Sequence, residues 1–213
     1  MSSYLKKKAH SLFVPIAQVS FHPIVRLYLV TGGGVIIGTE LDDDTYMPKS
    51  GTWFSLDDPD WKELSRGPSK TDDVWVEAAY VIPKNVDGDQ YYYLFVNFFA
   101  CCSGIKSTYE IHVGRSVNPL GPYLNKDGVD MMNFDDSTDL NSSRLLASSS
   151  YMIGPGHMGH YINWKTKQDI MTFHYYDSRR EDGMSWIGER KLNWEDGWPV
   201  AGSLLSSYEW GGF

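Results

Sequence analysis

Short apolar runs, broken by turn residues roughly every 8–15 positions, set the first limit on what this chain can fold into. No stretch carries the three-and-four apolar spacing of an amphipathic helix, so the pattern points to an all-β architecture. It is clearest from Val74 to Ser116, where strands are expected near 74–82, 91–99 and 108–116, around a polar turn and a Cys-Cys bend. Further strands are expected at 27–31, 35–41, 51–56, 144–149, 160–164, 170–176, 186–194 and 202–208. Polar loops are expected over 57–73 and 125–143, and an irregular segment over 1–26. A sandwich, a barrel and a propeller all satisfy this spacing. Trp and Gly at strand ends, as in Trp194-Glu-Asp-Gly-Trp-Pro199, favour a propeller. At about 40–50 residues per blade, residues 1–213 would form one domain of roughly four to five blades.

Charge removes one class of partner. Lys and Arg number 19 against 27 Asp and Glu, a net charge of -8. No basic stripe is available to neutralise phosphates, so nucleic acid is not expected as a partner. No run is long and apolar enough to cross a membrane. The N-terminal Lys6–Lys8 run precedes residues 9–19, which His10, Ser11, Pro15 and Gln18 interrupt, and this makes a poor signal-peptide core.

Three local motifs have competing readings. Gly32-Gly33-Gly34 lacks the Lys-Ser/Thr and helix of a phosphate loop and reads as a tight turn. Asp42-Asp43-Asp44 lacks the spacing and the Glu of a calcium-binding EF-hand and reads as a solvated turn. Cys101 and Cys102 are adjacent, so a bridge between them is possible but strained. They offer no metal-ligand spacing with histidine.

Along residues 73–80, alternation places Asp73, Trp75, Glu77 and Ala79 on one face and Val74, Val76, Ala78 and Tyr80 on the other. Glu77 has two readings. It is a strand-end carboxylate facing water, the usual state of a charged residue. Or it is a general acid, since an apolar setting favours the protonated carboxyl.

Several segments together bear on that choice. They are Val76-Glu-Ala-Ala-Tyr80, Tyr92-Tyr-Leu-Phe-Val96, Cys101-Cys-Ser-Gly104 with Ser107-Thr-Tyr109, Val113-Gly-Arg-Ser116, Gly121-Pro-Tyr123, Ile153-Gly-Pro-Gly-His157, His174-Tyr-Tyr-Asp177 and Trp194-Glu-Asp-Gly-Trp-Pro199. In this order and spacing the chain resembles glycoside hydrolase family 43, and within it the endo-1,5-α-L-arabinanases, over residues 27–31 and 74–200. The resemblance implies a five-bladed β-propeller with its active site at the axis, here incomplete at about four blades, the N-terminal one missing or degenerate. It also implies a secreted enzyme that hydrolyses arabinan, a pectin side chain, with inversion. Such an enzyme uses an Asp base, a Glu acid and an Asp that orients the acid. The acid falls on Glu77, with Ala79 where the family usually has Pro. His157 matches a histidine that helps hold a water-bound metal ion, usually calcium. Trp75, Phe98, Cys101, Cys102 and Ser103 are expected near the sugar subsites, with packing an equal alternative for all but Ser103.

The resemblance departs upstream. Both family Asp residues precede the acid, yet residues 1–39 contain no Asp or Glu. The segment Gly32–Gly38 also replaces an aromatic-bearing loop. The expectation is a chain truncated at its N-terminus, or a carbohydrate-binding remnant. A protein-binding propeller of the WD type would need recurrent Gly-His and Trp-Asp pairs, and these do not recur.

Overall fold

The computed structural model describes residues 26–53, 57–67, 74–133, 140–180 and 183–205. The Lys6–Lys8 run and almost all of the 1–26 segment lie outside these residues, as does Asp73. Among the described residues, strands form three antiparallel sheets, each a meander of consecutive strands. The first holds β1 (Leu27–Gly32), β2 (Val35–Leu41) and β3 (Lys62–Arg66). The middle sheet holds β4 (Val76–Val86), β5 (Asp89–Phe98), β6 (Glu110–Ser116) and β7 (Ser143–Leu146). The last holds β8 (Met152–Ile162), β9 (Asp169–Asp177), β10 (Ser185–Glu195) and β11 (Trp198–Leu204). The first strands of the three sheets are neighbours, β4 lying against both β1 and β8. The sheets therefore fan out from a shared inner edge, as blades of an incomplete propeller.

Proline placement agrees with that edge. Pro83, Pro155 and Pro199 lie in β4, β8 and β11, each of which pairs with a single neighbour in its sheet. Proline has no N–H for a second ladder, so it is tolerated there. Two Asp-Gly turns close hairpins. Asp87-Gly88 joins β4 to β5 and Asp196-Gly197 joins β10 to β11, all four residues with positive φ. This is the two-residue turn whose twist matches that of paired strands. The glycine triplet turns β1 into β2, and Asp42 accepts the Thr45 N–H at 2.9 Å, so both motifs are turns as expected.

Two expectations change. Residues 51–53 form no strand and 54–56 are outside the described set. The third strand of the first sheet is instead β3, inside the expected polar loop, where pairing with β2 buries Leu64 and Ser65. The three open sheets of the described residues agree with the expected incomplete propeller, and residues 117–133 pack as a loop. That loop carries Tyr123 and Met131 into the core. Finally, β8 begins at Met152 rather than 160, with Gly154-Pro155-Gly156 inside it.

The core follows from β5, whose continuous apolar run fits a strand covered on both faces. Leu94, Val96 and Phe98 join Val30, Ile36, Leu64 and Val76 between the first and middle sheets. Tyr93 and Phe95 join Ile111, Val113, Met158, Met171, Phe173 and Leu192 between the middle and last sheets. Across that second seam, Asp169 of β9 gathers three donors. Lys84 Nζ lies 2.6 Å from Oδ2, the Trp194 indole N–H donates to Oδ2 at 2.8 Å, and His160 Nε2 is 2.8 Å from Oδ1. Burial opposes ionisation of this carboxyl, yet the His160, Lys84 and Trp194 hydrogen bonds outweigh it and hold its pKa well below the usual range. Tyr93 adds an edge-on contact to Trp194 at 4.8 Å and donates to the Gly197 carbonyl.

Candidate active site

Two bulges on neighbouring inner strands build the site. In β4 the register with β5 shifts between Glu77 and Tyr80, and Ala78 has φ 57°. The expected alternation therefore stops at Glu77. Ala79 and Val81 pack with Val76 toward the first sheet, while Tyr80 and Ile82 pack toward the last. In β8 the register shifts on both sides of Gly156, and His157 has φ 55°. Bulges re-aim side chains, and here they stand beside the seam between the middle and last sheets.

Glu77 is half-buried, and both carboxylate oxygens meet donors. The Tyr109 hydroxyl donates to Oε1 at 2.7 Å and the Trp75 indole N–H to Oε2 at 3.1 Å. Tyr109 is 1% exposed. Burial, reinforced by Glu77, pushes its hydroxyl far above the usual phenol range, so it remains a donor. The Tyr109 ring stacks on His174 with centroids 5.9 Å apart, and it fills the space over Gly156. A Cβ on Gly156 would lie 2.0 Å from Tyr109 Cδ1. Burial, then nearby His157, hold His174 below the ordinary imidazole value, with Glu77 opposing. His174 Nδ1 is buried without a hydrogen-bond partner.

Asn97 joins the two bulges. It pairs with Glu77 across β4 and β5, and its Oδ1 accepts the His157 backbone N–H at 2.9 Å. Its amide donates to the Glu110 carbonyl at 2.9 Å, so this fully buried Asn is satisfied.

The other expected residues separate. Trp75 is 49% exposed beside Glu77. Phe98 is 2% exposed and stacks edge-on against His112 at 5.1 Å, so its ring belongs to the core rather than to a wall. Cys101 and Cys102 are disulfide-bonded in the β5–β6 loop, and Cys102 and Ser103 are exposed. That loop is knit by Ser103 N–H to Ser107 Oγ at 3.1 Å, and its short 3-10 turn, Gly104–Lys106, lies against β8 and β9. His157 is exposed at the seam. Calcium takes six to eight oxygen ligands. Among the described residues no three His, Cys, Asp or Glu side chains converge, so His157 supplies at most one contact to such an ion.

Sequence reasoning gave no role to Tyr109, Asn97, Gly156 or His174. A signal existed for Asn97, a single polar residue within an otherwise apolar run from Tyr91 to Ala100. Tyr109 and His174 lie inside the motifs Ser107-Thr-Tyr109 and His174-Tyr-Tyr-Asp177, but only the fold brings them to Glu77.

The sequence profile of the glycosyl hydrolases family 43 matches residues 21–199, and so covers all three sheets except most of the last strand. The chain belongs to that family. It is 38% identical over 109 residues to the extracellular endo-α-(1→5)-L-arabinanase 1 of Bacillus subtilis, covering 51% of this chain and 30% of that protein. It is 31% identical over 178 residues to the extracellular exo-α-(1→5)-L-arabinofuranosidase of Cellvibrio japonicus, covering 83% and 47%. The solved α-L-arabinanase of Cellvibrio cellulosa in complex with arabinohexaose superposes with a TM-score of 0.66 at 26% identity, covering 84% of this chain and 54% of that one. The chain thus spans about half or less of the length of these relatives.

Proposed function

We propose that this protein takes part in hydrolysis of α-1,5-linked L-arabinan outside the cell, with Glu77 as the general acid. The observation that carries the reading is the Glu77 carboxyl on the inner strand of the middle sheet, held by Tyr109 and Trp75. Family membership and relatives named as extracellular arabinan-cleaving enzymes support the substrate and the setting.

In this chemistry Glu77 carries a proton to the glycosidic oxygen as the C–O bond breaks, and the carboxylate left behind keeps Tyr109 as its donor. An inverting reaction also needs a carboxylate base roughly 6.5–9.5 Å from the acid, with a water between base and sugar. The family places that base upstream, where residues 1–39 hold no Asp or Glu. The test is therefore two-part. Reducing ends released from linear arabinan are measured for the parent and for Glu77→Gln, alongside calorimetric binding of arabino-oligosaccharides. The reading expects turnover that falls by about 10²–10⁴-fold in the variant while binding persists. Binding by the parent without turnover would assign the chain to carbohydrate recognition, and equal rates in the two proteins would remove Glu77 from the chemistry.

A further inference from the structure

The two donors on Glu77 differ in what they can do. A tyrosine hydroxyl donates or accepts, whereas an indole N–H only donates. Tyr109 can therefore stay bonded to Oε1 whether or not Glu77 holds a proton. The indole bond to Oε2 suits a bare oxygen and competes with a proton on it. The two also differ in freedom. Tyr109 is buried, stacked on His174 and wedged over Gly156. Trp75 is half exposed, and its ring lies on the turn between β1 and β2. Cβ atoms built on Gly33 and Gly34 would sit 3.1 Å from Cζ2 and 3.2 Å from Cζ3 of the indole. Gly34 is fixed in turn by its N–H bond to the Val76 carbonyl at 2.8 Å. The glycine turn is thus a flat floor from the first sheet, over which a Trp ring from the edge of the middle sheet can lie.

We infer that Trp75 is a positioning residue that caps Oε2 of Glu77 until substrate arrives and then yields that oxygen to the glycosidic oxygen. Oε2 is accordingly the atom that delivers the proton, and Oε1 remains anchored by Tyr109. This deepens the arabinan reading and rests on it for the substrate, while the Trp75–Glu77 pair can be tested without turnover.

The experiment follows the indole N–H resonance of Trp75 by proton–nitrogen NMR, assigned by its loss in Trp75→Phe. On pH titration the resonance is expected to move with a single inflection, and Glu77→Gln should abolish that inflection. A resonance indifferent to pH, or one that titrates unchanged in Glu77→Gln, overturns the inference. The second arm is the pH profile of kcat/KM on arabinan. Trp75→Phe keeps a ring on the glycine floor but removes a donor that favours the ionised carboxylate. The alkaline limb should therefore move to higher pH. A uniform loss of rate at every pH would mark Trp75 as merely structural and also overturn the inference. If the parent cleaves no arabinan, the substrate reading fails, and the indole titration alone decides for or against the pair.

Discussion

The two seams of this molecule are built from different materials. Between the first and middle sheets the side-chain contact is apolar, Val30, Ile36 and Leu64 meeting Val76, Leu94, Val96 and Phe98, and a backbone hydrogen bond runs from Gly34 to the Val76 carbonyl. Between the middle and last sheets an equally apolar core is joined by the Asp169 cluster and by Asn97, which spans from β5 to the β8 backbone. Apolar contacts tolerate small shifts because they have no direction. Hydrogen bonds to a buried carboxylate or amide fix distance and angle. The site stands on the second seam, where Glu77 and His157 must hold register across two sheets. The first seam contributes only the glycine floor under Trp75, the component assigned to move.

This difference can be broken most severely at Asp169. Asp169→Ala leaves Lys84, His160 and Trp194 without their shared acceptor, and should lower stability by about 3–5 kcal/mol in urea unfolding. No comparable single polar deletion is expected to have that effect at the first seam. The same carboxyl links stability to acid. Its native pKa is depressed, so its contribution is fully present above the unfolded value near 3.9 and is lost as pH falls below it. Melting temperature followed from pH 6 down to pH 3 should drop more steeply in the parent than in Asp169→Asn. Parallel curves would show that the cluster is not what joins the sheets.

Two glycines sharpen the comparison at smaller cost. A Cβ on Gly156 runs into the Tyr109 ring and lies 2.8 Å from the Asn97 amide. A Cβ on Gly38 meets methyl groups of Leu120 and Leu64 at 2.9 Å, the far ends of flexible side chains, and the Leu29 carbonyl oxygen at 3.3 Å. Gly156→Ala should therefore cost about 1–3 kcal/mol, and it should also cut arabinan turnover by displacing the donor on Oε1. Gly38→Ala should cost less than about 1 kcal/mol and leave turnover near the parent's. Equal losses in the two would mean that the seams are alike in stiffness.

Much of the architecture was legible because it is local. Asp-Gly turns, the unbroken apolar run of β5 and the spacing of turns report on neighbouring residues, so strand and hairpin positions follow from pattern. Glu77 was singled out by its place among apolar residues and by motif order. What pattern did not show depends on bulges and on contacts between distant segments. Alternation assumes a regular strand, and the extra residue at Ala78 exchanges the faces of everything after Glu77. Gly-Pro-Gly reads as a turn by composition, yet β9 pairs with it and makes it a bulged strand. Tyr109 reaches Glu77 across 32 residues, and His174 reaches Tyr109 from another sheet. Neither contact has a signature in local sequence.

The central claim is that Glu77 gives a proton to the leaving oxygen. Its most direct test uses the leaving group itself. Rates of the parent and Glu77→Gln are compared on linear arabinan and on a nitrophenyl α-1,5-arabino-oligosaccharide, whose phenolate departs without protonation. If Glu77 is the acid, the variant loses about 10²–10⁴-fold on arabinan and far less on the aryl substrate. An equal loss on both substrates would contradict the account, because the carboxyl would then serve binding or folding rather than proton transfer.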